Sequence, residues 1–243
     1  GASERGALKG DAFILTSISM LILLVSIFVF YPILSIFTGA FQDFDGSFTT
    51  EGVVRNIADP KIWSLSCLIG GPSCGVAWRT LFLALCTATA TTALGLAFAL
   101  VATRTAFPFK KSLRLLTILP IITPPFVVGL SLIMLLGRTG TLTQVIEGAT
   151  GLEFGRWIYG LPGIWLAQVL SFTPISFLVL IGVVEGISPS MEEASQTLRA
   201  GRWRTFRMVS LPLMAPGLAN AFLIGFIESM ADFGNPLVLG GSG

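Results

Sequence analysis

Residues 13–37 read FILTSISMLILLVSIFVFYPILSIF, and this run decides the class of fold. It contains no charged side chain, and about 20 consecutive apolar residues are enough for a helix to cross the hydrocarbon core of a bilayer. The run is longer than the apolar core of a signal peptide, and no small-residue cleavage motif follows it. The sequence therefore predicts a retained membrane-spanning helix, with Pro32 as a place where that helix kinks or ends.

The composition of the whole chain extends this interpretation from one segment to the protein. Of the 243 residues, 53% are hydrophobic and only 12% are charged, whereas soluble domains carry about 25% charged residues. Histidine is absent, which removes the commonest general base and the commonest metal ligand. We therefore expect no catalytic site, no firm metal site, no bound cofactor and no nucleic-acid partner for this chain.

Four further apolar segments are long enough to span a bilayer. The five predicted spans cover residues 13–37, 76–102, 113–136, 161–184 and 211–239. Prolines interrupt the third span, which is tolerated where neighbouring helices or a water-filled cavity satisfy the freed carbonyls. The predicted fold class is an all-α bundle of about five transmembrane helices. The connections 38–77 and 137–160 are interpreted as loops, the first with room for a short helix.

The distribution of basic residues predicts the orientation of these spans. They cluster before span one, between spans two and three, and between spans four and five: Arg5, Lys9, Arg104, Lys110, Lys111, Arg114, Arg199, Arg202, Arg204 and Arg207. If every span crosses the bilayer, these segments lie on one side. The positive-inside rule makes that side cytoplasmic, so the N-terminus is predicted to be inside.

The cysteines leave two possibilities open. Cys67 and Cys74 lie in one short polar stretch, and the predicted topology places that stretch outside the membrane, where a disulfide can persist. They either pair there or remain two free thiols. The third cysteine, Cys86, lies in an apolar run and is interpreted as packing.

The connection between spans four and five is polar, and residues 187–218 read ISPSMEEASQTLRAGRWRTFRMVSLPLMAPGL. A helix can begin at Ser188, which precedes a proline, or at Ser190, which fits a capping box. Gly201 and the alanine before it are predicted to end this helix. A second, basic helix over residues 202–209 then leads into span five.

These two helices are predicted to share one apolar face, on which lie Ala194, Leu198, Trp203 and Phe206. An amphipathic element of this kind suits a groove on a partner protein. Spacing alone leaves a second possibility open, in which the element rests on anionic lipid at the membrane surface.

The same stretch resembles the EAA loop of bacterial ABC-importer permeases. That pattern has Glu-Ala-Ala, a glycine at the sixth residue after the glutamate, and an aliphatic-x-Leu-Pro ending. The matching positions are Glu193, Ala194, Ser195, Val209, Leu211 and Pro212. Arg199 stands at the usual glycine position and Gly201 follows two residues later, so we expect a displaced turn or a different helix end.

The resemblance implies that residues 188–212, here named the 188–212 segment, dock in a cleft on an ATP-hydrolysing subunit. It assigns to this coupling role Glu193, Ala194, Leu198, Gly201, Leu211 and Pro212. The sequence has no GxxxxGK[ST] motif, so ATP is expected on the partner and not on this chain. The fold implied for residues 1–243 is a single MetI-like permease domain in the bacterial inner membrane.

The resemblance also implies partners. These are a dimer of ABC ATPase subunits on the cytoplasmic side, a periplasmic or lipoprotein substrate-binding protein, a second permease core that is fused or separate, and the lipid bilayer. The ending LVLGGSG resembles a break inside a first core, so we expect an incomplete core.

Other stretches resemble the ferric-iron branch of these permeases. They are CGVAWRTLFLA, LGLAFALVATRT, LPIITPPFVVGL and ESMADFGNPLVLGG. The resemblance implies ferric iron as the substrate. Permeases for sulfate, molybdate, thiosulfate and polyamines share much of this architecture and remain alternatives.

Span five contains the candidate residues of a translocation path. Glu228 and Asp232 are four residues apart and are predicted to share a helix face, with Asn220 and Asn235 nearby on the circumference. Charged groups at membrane depth usually line a cavity or pathway, and a hard trivalent cation prefers carboxylate oxygen. Alternatively, Asp232 and Asn235 lie in the outer headgroup zone and cap the helix.

Two other classes of function remain as alternatives to an ABC permease. A secondary transporter or channel driven by an ion gradient would also have a broken third span and an acidic residue at membrane depth. A membrane-embedded enzyme is disfavoured because the sequence lacks histidine.

Overall fold

A computed structural model describes residues 2–42, 47–69, 74–151 and 157–240 of the chain. In these ranges the regular structure is helical, apart from one isolated antiparallel bridge between Gln42 and Phe48. The all-α fold predicted from the sequence is therefore confirmed. By the contacts between Cα atoms, the chain divides into two compact units, residues 1–76 and 77–243.

The first unit begins with one long apolar helix. α1 (Ala2–Val25) continues through a π turn at Ser26–Phe30 into α2 (Tyr31–Ala40). Pro32, in the first turn of α2, has no N–H to donate, and its ring would crowd the carbonyl four residues earlier. The wider π turn accommodates the ring, so the helix continues where the sequence suggests a kink or an end. Its apolar side chains are exposed from residue 13 onwards, as a lipid-facing span requires.

Short helical elements follow in the connection interpreted as a polar loop. They are α3 (Glu51–Ile57), α4 (Pro60–Trp63) and a 3-10 turn at Ser66–Ile69. Asp59 Oδ1 accepts a hydrogen bond of 2.8 Å from the backbone N–H of Lys61 and so caps α4. Cys67 and Cys74 are joined by a disulfide, with their Cα atoms 4.9 Å apart.

The remaining helices begin at the boundary between the two units. In order they are α5 (Val76–Arg104), α6 (Lys110–Ile118), α7 (Pro125–Leu136), α8 (Thr141–Thr150), α9 (Leu161–Gly186), α10 (Pro189–Thr197), α11 (Arg202–Thr205), α12 (Leu211–Ala231) and α13 (Gly234–Leu239). A second π turn, at Phe206–Ser210, joins α11 to α12 without a break, and it again stands two residues before a proline, Pro212.

Five segments of the described residues are long and apolar enough to cross a membrane, in agreement with the predicted number. They are Phe13–Ala40, Val76–Arg104, Pro125–Thr150, Leu161–Gly186 and Arg202–Ala231.

The predicted bounds of the third span, 113–136, are wrong. Helix α6 and a 3-10 turn at Leu119–Ile122 precede a break at Thr123 and Pro124, and α7 starts only at Pro125. Two successive prolines lack the N–H groups that would continue the helix, so the break falls on them. The region interpreted as a glycine-rich loop contains helix α8, while residues 152–156 of that loop lie outside the described residues.

The predicted fifth span, 211–239, is also interrupted. Helix α12 ends at Ala231, Asp232 is extended with φ −72° and ψ 111°, and α13 begins at Gly234. Pro236 explains the interruption, because its ring would clash with the carbonyl of Asp232 in a continuous helix.

Within the second unit, α5 and α9 run in the same direction and α12 runs against them, as expected if successive spans cross in alternate directions. The C-terminal residue of α5, Arg104, bonds carbonyls at the C-terminal end of α9. α5 and α9 touch at Gly95, where an added Cβ would lie 2.9 Å from the backbone of Ser176 and Phe177. A glycine is required there, because any side chain would separate the two helices. The core between α5, α9 and α12 includes Ala99, Phe177, Leu180, Met214 and Ala221.

Candidate functional site

Helix α10, the first helix of the 188–212 segment, begins at Ser188, the first of the two starts that the sequence allows. Ser188 is the N-cap of α10 with an extended backbone, and a proline occupies the first turn. The Ser188 and Ser190 hydroxyl oxygens are 2.7 Å apart and share a hydrogen bond. Because proline is already set for the first turn of a helix, the helix starts at this serine and not at Ser190.

The end of α10 differs from the prediction. The helix ends at Thr197, and Arg199 adopts a left-handed backbone with φ 60°, alone among the described residues other than glycine. The Arg199 N–H donates to the Gln196 carbonyl at 3.0 Å, and the Ala200 N–H donates to the Ser195 carbonyl at 3.2 Å. These two bonds form a Schellman motif with Arg199 in the position that glycine usually fills.

The turn is therefore not displaced towards Gly201. That residue has φ −65° and ψ 156°, an extended conformation open to any residue, and it serves as the N-cap of α11. The turn stays at the usual position because Arg199, although it is not a glycine, adopts the left-handed backbone that the turn requires.

The predicted apolar face is present and lies open. Leu198 is 84% exposed, Trp203 is 72% exposed and stacks on Phe206 with ring centroids 5.7 Å apart, and Ala194 is also exposed. Glu193, the glutamate of the EAA pattern, is exposed beside this face. The geometry is that of a surface available to a partner.

The inner side of α10 is held by Glu192, which is not among the residues predicted from the sequence. Its Oε1 lies 3.3 Å from the Nη2 of Arg104, and it accepts a hydrogen bond of 2.9 Å from the Ser210 hydroxyl. A second contact, of 3.1 Å, joins the hydroxyls of Ser195 and Thr205. Of the two adjacent glutamates, Glu192 is thus bound on the inner side and Glu193 is exposed, a difference that the sequence does not indicate.

Arg104 connects the 188–212 segment to two spans. From the last residue of α5, its Nη2 also donates to the carbonyls of Val184 and Ile187, each at 3.3 Å. Those carbonyls lie at the C-terminal end of α9, where helical carbonyls lack partners and a cation is favourable. A cavity of about 410 Å³ lies beside these contacts, between the segment and the ends of α5, α9 and α12.

A buried group of polar side chains lies at the opposite ends of the same helices. Its members, here named the polar cluster, are Thr87, Gln168, Ser229, Asp232 and Asn235. Gln168 is fully buried at the centre: its Oε1 accepts from the hydroxyls of Thr87 at 3.0 Å and Ser229 at 2.7 Å, and its Nε2 donates to Asp232 Oδ2 at 3.0 Å. The cluster joins α5, α9 and α12 to the break before α13.

The path candidates of the sequence do not form one helix face. Glu228 and Asn220 are exposed on α12, whereas Asn235 is buried in α13. Asp232 is the C-cap that follows Glu228 by one helical turn, and its carboxylate bonds the amides of Gln168 and Asn235, whereas Glu228 is exposed. The predicted face on one helix is wrong for Asn235, which lies beyond the interruption at Asp232.

The Asp232 carboxylate binds the first turn of α13. Its Oδ1 accepts from the backbone N–H of Asn235 at 3.2 Å, and its Oδ2 accepts from the Asn235 amide at 2.8 Å. Among the residues that the structure describes, no three histidine, cysteine, aspartate or glutamate side chains are grouped as metal ligands. Of the two path carboxylates, that of Asp232 is bound by neighbouring groups and that of Glu228 is exposed.

Comparison with known proteins adds a family profile. The profile for the binding-protein-dependent transport system inner membrane component matches residues 91–243.

The chain is similar to two proteins named as ferric transport system permeases, the first of them putatively. Identity is 44% over 97% of this chain to one from Haemophilus influenzae and to one from Actinobacillus pleuropneumoniae. The chain spans only 35% and 32% of the lengths of these two relatives. It is also similar to a molybdenum transport system permease protein from Escherichia coli, with 33% identity. That match covers 58% of this chain and 60% of the relative.

Among solved structures, the chain is similar to a chain in the crystal structure of a bacterial alginate ABC transporter in complex with a pentasaccharide-bound periplasmic protein. The TM-score is 0.72, and the match covers 98% of this chain and 79% of that one. Identity is 16%, so this likeness concerns the fold.

Proposed function

Because the chain belongs to the family of binding-protein-dependent transport system inner membrane components, we propose that it works as the multi-pass permease of an ABC importer, driven by ATP that a separate subunit hydrolyses. The observation that carries this proposal is the 188–212 segment. Its inner side is held by Glu192, while Glu193, Leu198 and Trp203 are open to a partner.

The partner on this face is a dimer of ATPase subunits. An amphipathic helix presenting exposed leucine and tryptophan beside a free carboxylate suits a groove with an apolar floor and a basic rim. Leu198 and Trp203, 84% and 72% exposed, would both leave water on docking, and burying apolar surface is favourable in proportion to its area. The basic residues at these ends of the spans support a cytoplasmic side of a bacterial inner membrane for this face, by the positive-inside rule.

The docking proposal is tested by co-purification. Glu193→Arg combined with Leu198→Asp is expected to reduce the recovery of the ATPase subunit with the full transporter at least tenfold. Lys111→Glu reverses one charge on α6, as Glu193→Arg does in the 188–212 segment, and is expected to leave recovery unchanged. Equal recovery in all three proteins would remove the docking proposal.

The substrate proposed is ferric iron. The two relatives at 44% identity are named for ferric transport, and Glu228 offers a hard carboxylate oxygen on α12. An oxyanion such as molybdate would be repelled by that carboxylate. The relatives named for molybdenum transport nevertheless make molybdate the substrate to compare.

A second permease core is the proposed neighbour of α12. Glu228 and Asn220 are exposed on this helix, and a charged side chain at membrane depth is costly against lipid. A core packed across this face, either fused or separate, would enclose the two polar groups in a path. A substrate-binding protein would deliver the cargo to the outer end of that path.

Uptake measurements test the substrate. Membrane vesicles holding the full transporter and its binding protein are expected to accumulate radioactive ferric iron, and not molybdate or sulfate, only when ATP is supplied. Glu228→Gln is expected to lower the rate about tenfold, whereas Glu51→Gln, an exposed carboxylate in α3, is expected to have no effect. Accumulation of molybdate instead would reject iron, and uptake driven by an ion gradient without ATP would reject the importer.

A further inference from the structure

One carboxylate oxygen and one guanidinium connect the 188–212 segment to three spans. Glu192 Oε1 is bound both by Arg104, at the end of α5, and by Ser210, in the π turn that begins the α12 span. Arg104 also holds the last carbonyls of α9 through Val184 and Ile187. The chain itself continues from α9 into the segment and from the segment into α12, but α5 is joined to it only through space.

The ion pair is partly shielded from water. The side chains of Arg104 and Glu192 are 27% and 23% exposed, whereas those of the nearby pair Arg114 and Glu185 are 49% and 53% exposed. Shielded ion pairs are screened less by salt and water than exposed ones, whereas the exposed pair is the shorter of the two, at 2.7 Å against 3.3 Å. The second pair joins α6 to α9 and does not include the 188–212 segment.

α5 is built to transmit a displacement along its length. It is one continuous helix from Val76 to Arg104, and Gly95 lets it pack directly on the backbone of α9. Thr87, on the same helix, bonds Gln168 in the polar cluster. At about 1.5 Å per residue, the helix carries a movement of Arg104 over roughly 25 Å to the polar cluster.

We propose that Arg104 is a positioning residue that makes α5 follow the 188–212 segment, so that movement of the docked ATPase reaches the polar cluster beside Asp232 through this helix. The proposal rests on the proposed function. The cavity of about 410 Å³ beside Arg104 gives the segment room to shift while the ion pair holds. Loss of the pair uncouples α5 without removing the exposed docking face, because Leu198 and Glu193 are exposed and are not part of the ion pair.

The test uses the full transporter with its ATPase and binding protein in proteoliposomes, and it measures substrate taken up per ATP hydrolysed. Arg104→Gln and Glu192→Gln are each expected to lower this ratio about tenfold, with ATPase recovery within twofold of the parent. The double variant is expected to be no worse than Arg104→Gln alone, since that single change already removes the ion pair together with the bonds to Val184 and Ile187. Ser210→Ala, which removes one hydrogen bond to Glu192, is expected to lower the ratio two- to threefold.

Two comparisons distinguish transmission through the Arg104–Glu192 pair, here named the relay, from a general loss of transporter structure. Arg114→Gln and Glu185→Gln break the exposed pair at the same end and are expected to leave the ratio unchanged. Arg104→Lys keeps a positive charge opposite Glu192 and is expected to recover more than half of the loss.

An unchanged ratio in both Arg104→Gln and Glu192→Gln would overturn the relay. Loss of ATPase recovery in these variants would also overturn it, because the pair would then only shape the docking face. A parent complex that recovers no ATPase would instead sink the proposed function on which the relay rests.

Discussion

Replacing Arg199 with glycine is expected to stabilise the turn that ends α10. Arg199 holds φ 60°, and a side chain in the left-handed region costs about 1–2 kcal/mol. Glycine escapes that cost but loses more backbone freedom on folding, by about 0.5–1 kcal/mol. The net gain expected for Arg199→Gly is therefore about 0.5–1 kcal/mol, or roughly a two- to fivefold change in a local opening equilibrium.

The assay is hydrogen exchange of the chain in lipid nanodiscs without its ATPase, followed at the amides of Arg199 and Ala200. These amides close the Schellman motif through the carbonyls of Gln196 and Ser195, so they exchange only when the turn opens. In Arg199→Gly the glycine amide at position 199 and the amide of Ala200 are expected to exchange about two to five times more slowly.

Two further variants isolate the cause. Arg199→Ala removes the long side chain but keeps a Cβ, so its exchange rates are expected to match the parent. Gly201→Ala changes a residue with φ −65° and no atom within 4 Å of the added Cβ, so it is expected to alter the same amides little. Faster or unchanged exchange in Arg199→Gly, or equal slowing in Gly201→Ala, would refute the assignment of strain to Arg199.

Three other outcomes are expected. Gln168→Leu leaves the buried partners of the amide unsatisfied and should lower the free energy of unfolding by about 2–4 kcal/mol, measured by denaturant titration in detergent; a loss below 1 kcal/mol would contradict the buried bonds. Gly95→Ala should cost about 2 kcal/mol in the same titration because its Cβ meets backbone at 2.9 Å, whereas Gly182→Ala, with open space around it, should be neutral or stabilising. Cys67 and Cys74 should react with a membrane-impermeant thiol reagent on intact spheroplasts only after reduction, and labelling without a reductant would contradict the disulfide.

The spans could be predicted from the sequence because long apolar runs leave little choice of structure in a membrane. Their interruptions could be predicted only in part. Pro124 and Pro125 indicate a break, but the sequence alone did not place it at the start of the crossing segment. Pro236 was also a usable signal, since a proline four residues after Asp232 excludes a continuous helix there, and reading span five through to Leu239 ignored it.

The candidate site was predictable where it faces outward and unpredictable where it faces inward. The exposed face with Leu198 and Trp203 follows from helical spacing and the EAA pattern. The contact between Arg104 and Glu192 depends on where two helices distant in the sequence end, so no local pattern indicates it. Gln168 offered one signal, as a large amide within an otherwise apolar span, but its three partner residues, Thr87, Ser229 and Asp232, come from other parts of the chain and follow only from the packing.

The two π turns, at Ser26–Phe30 and Phe206–Ser210, mark places where the chain holds one residue more than ordinary winding needs. A π turn takes up that extra residue locally, so the helices on its two sides keep nearly the rotation that an uninterrupted helix one residue shorter would give them. Deleting one residue from 206–210 would therefore return the helix to about 3.6 residues per turn with little rotation of α11 around the axis of α12. Variants with a single-residue gap at this point should keep both the span and the direction of the Trp203 indole.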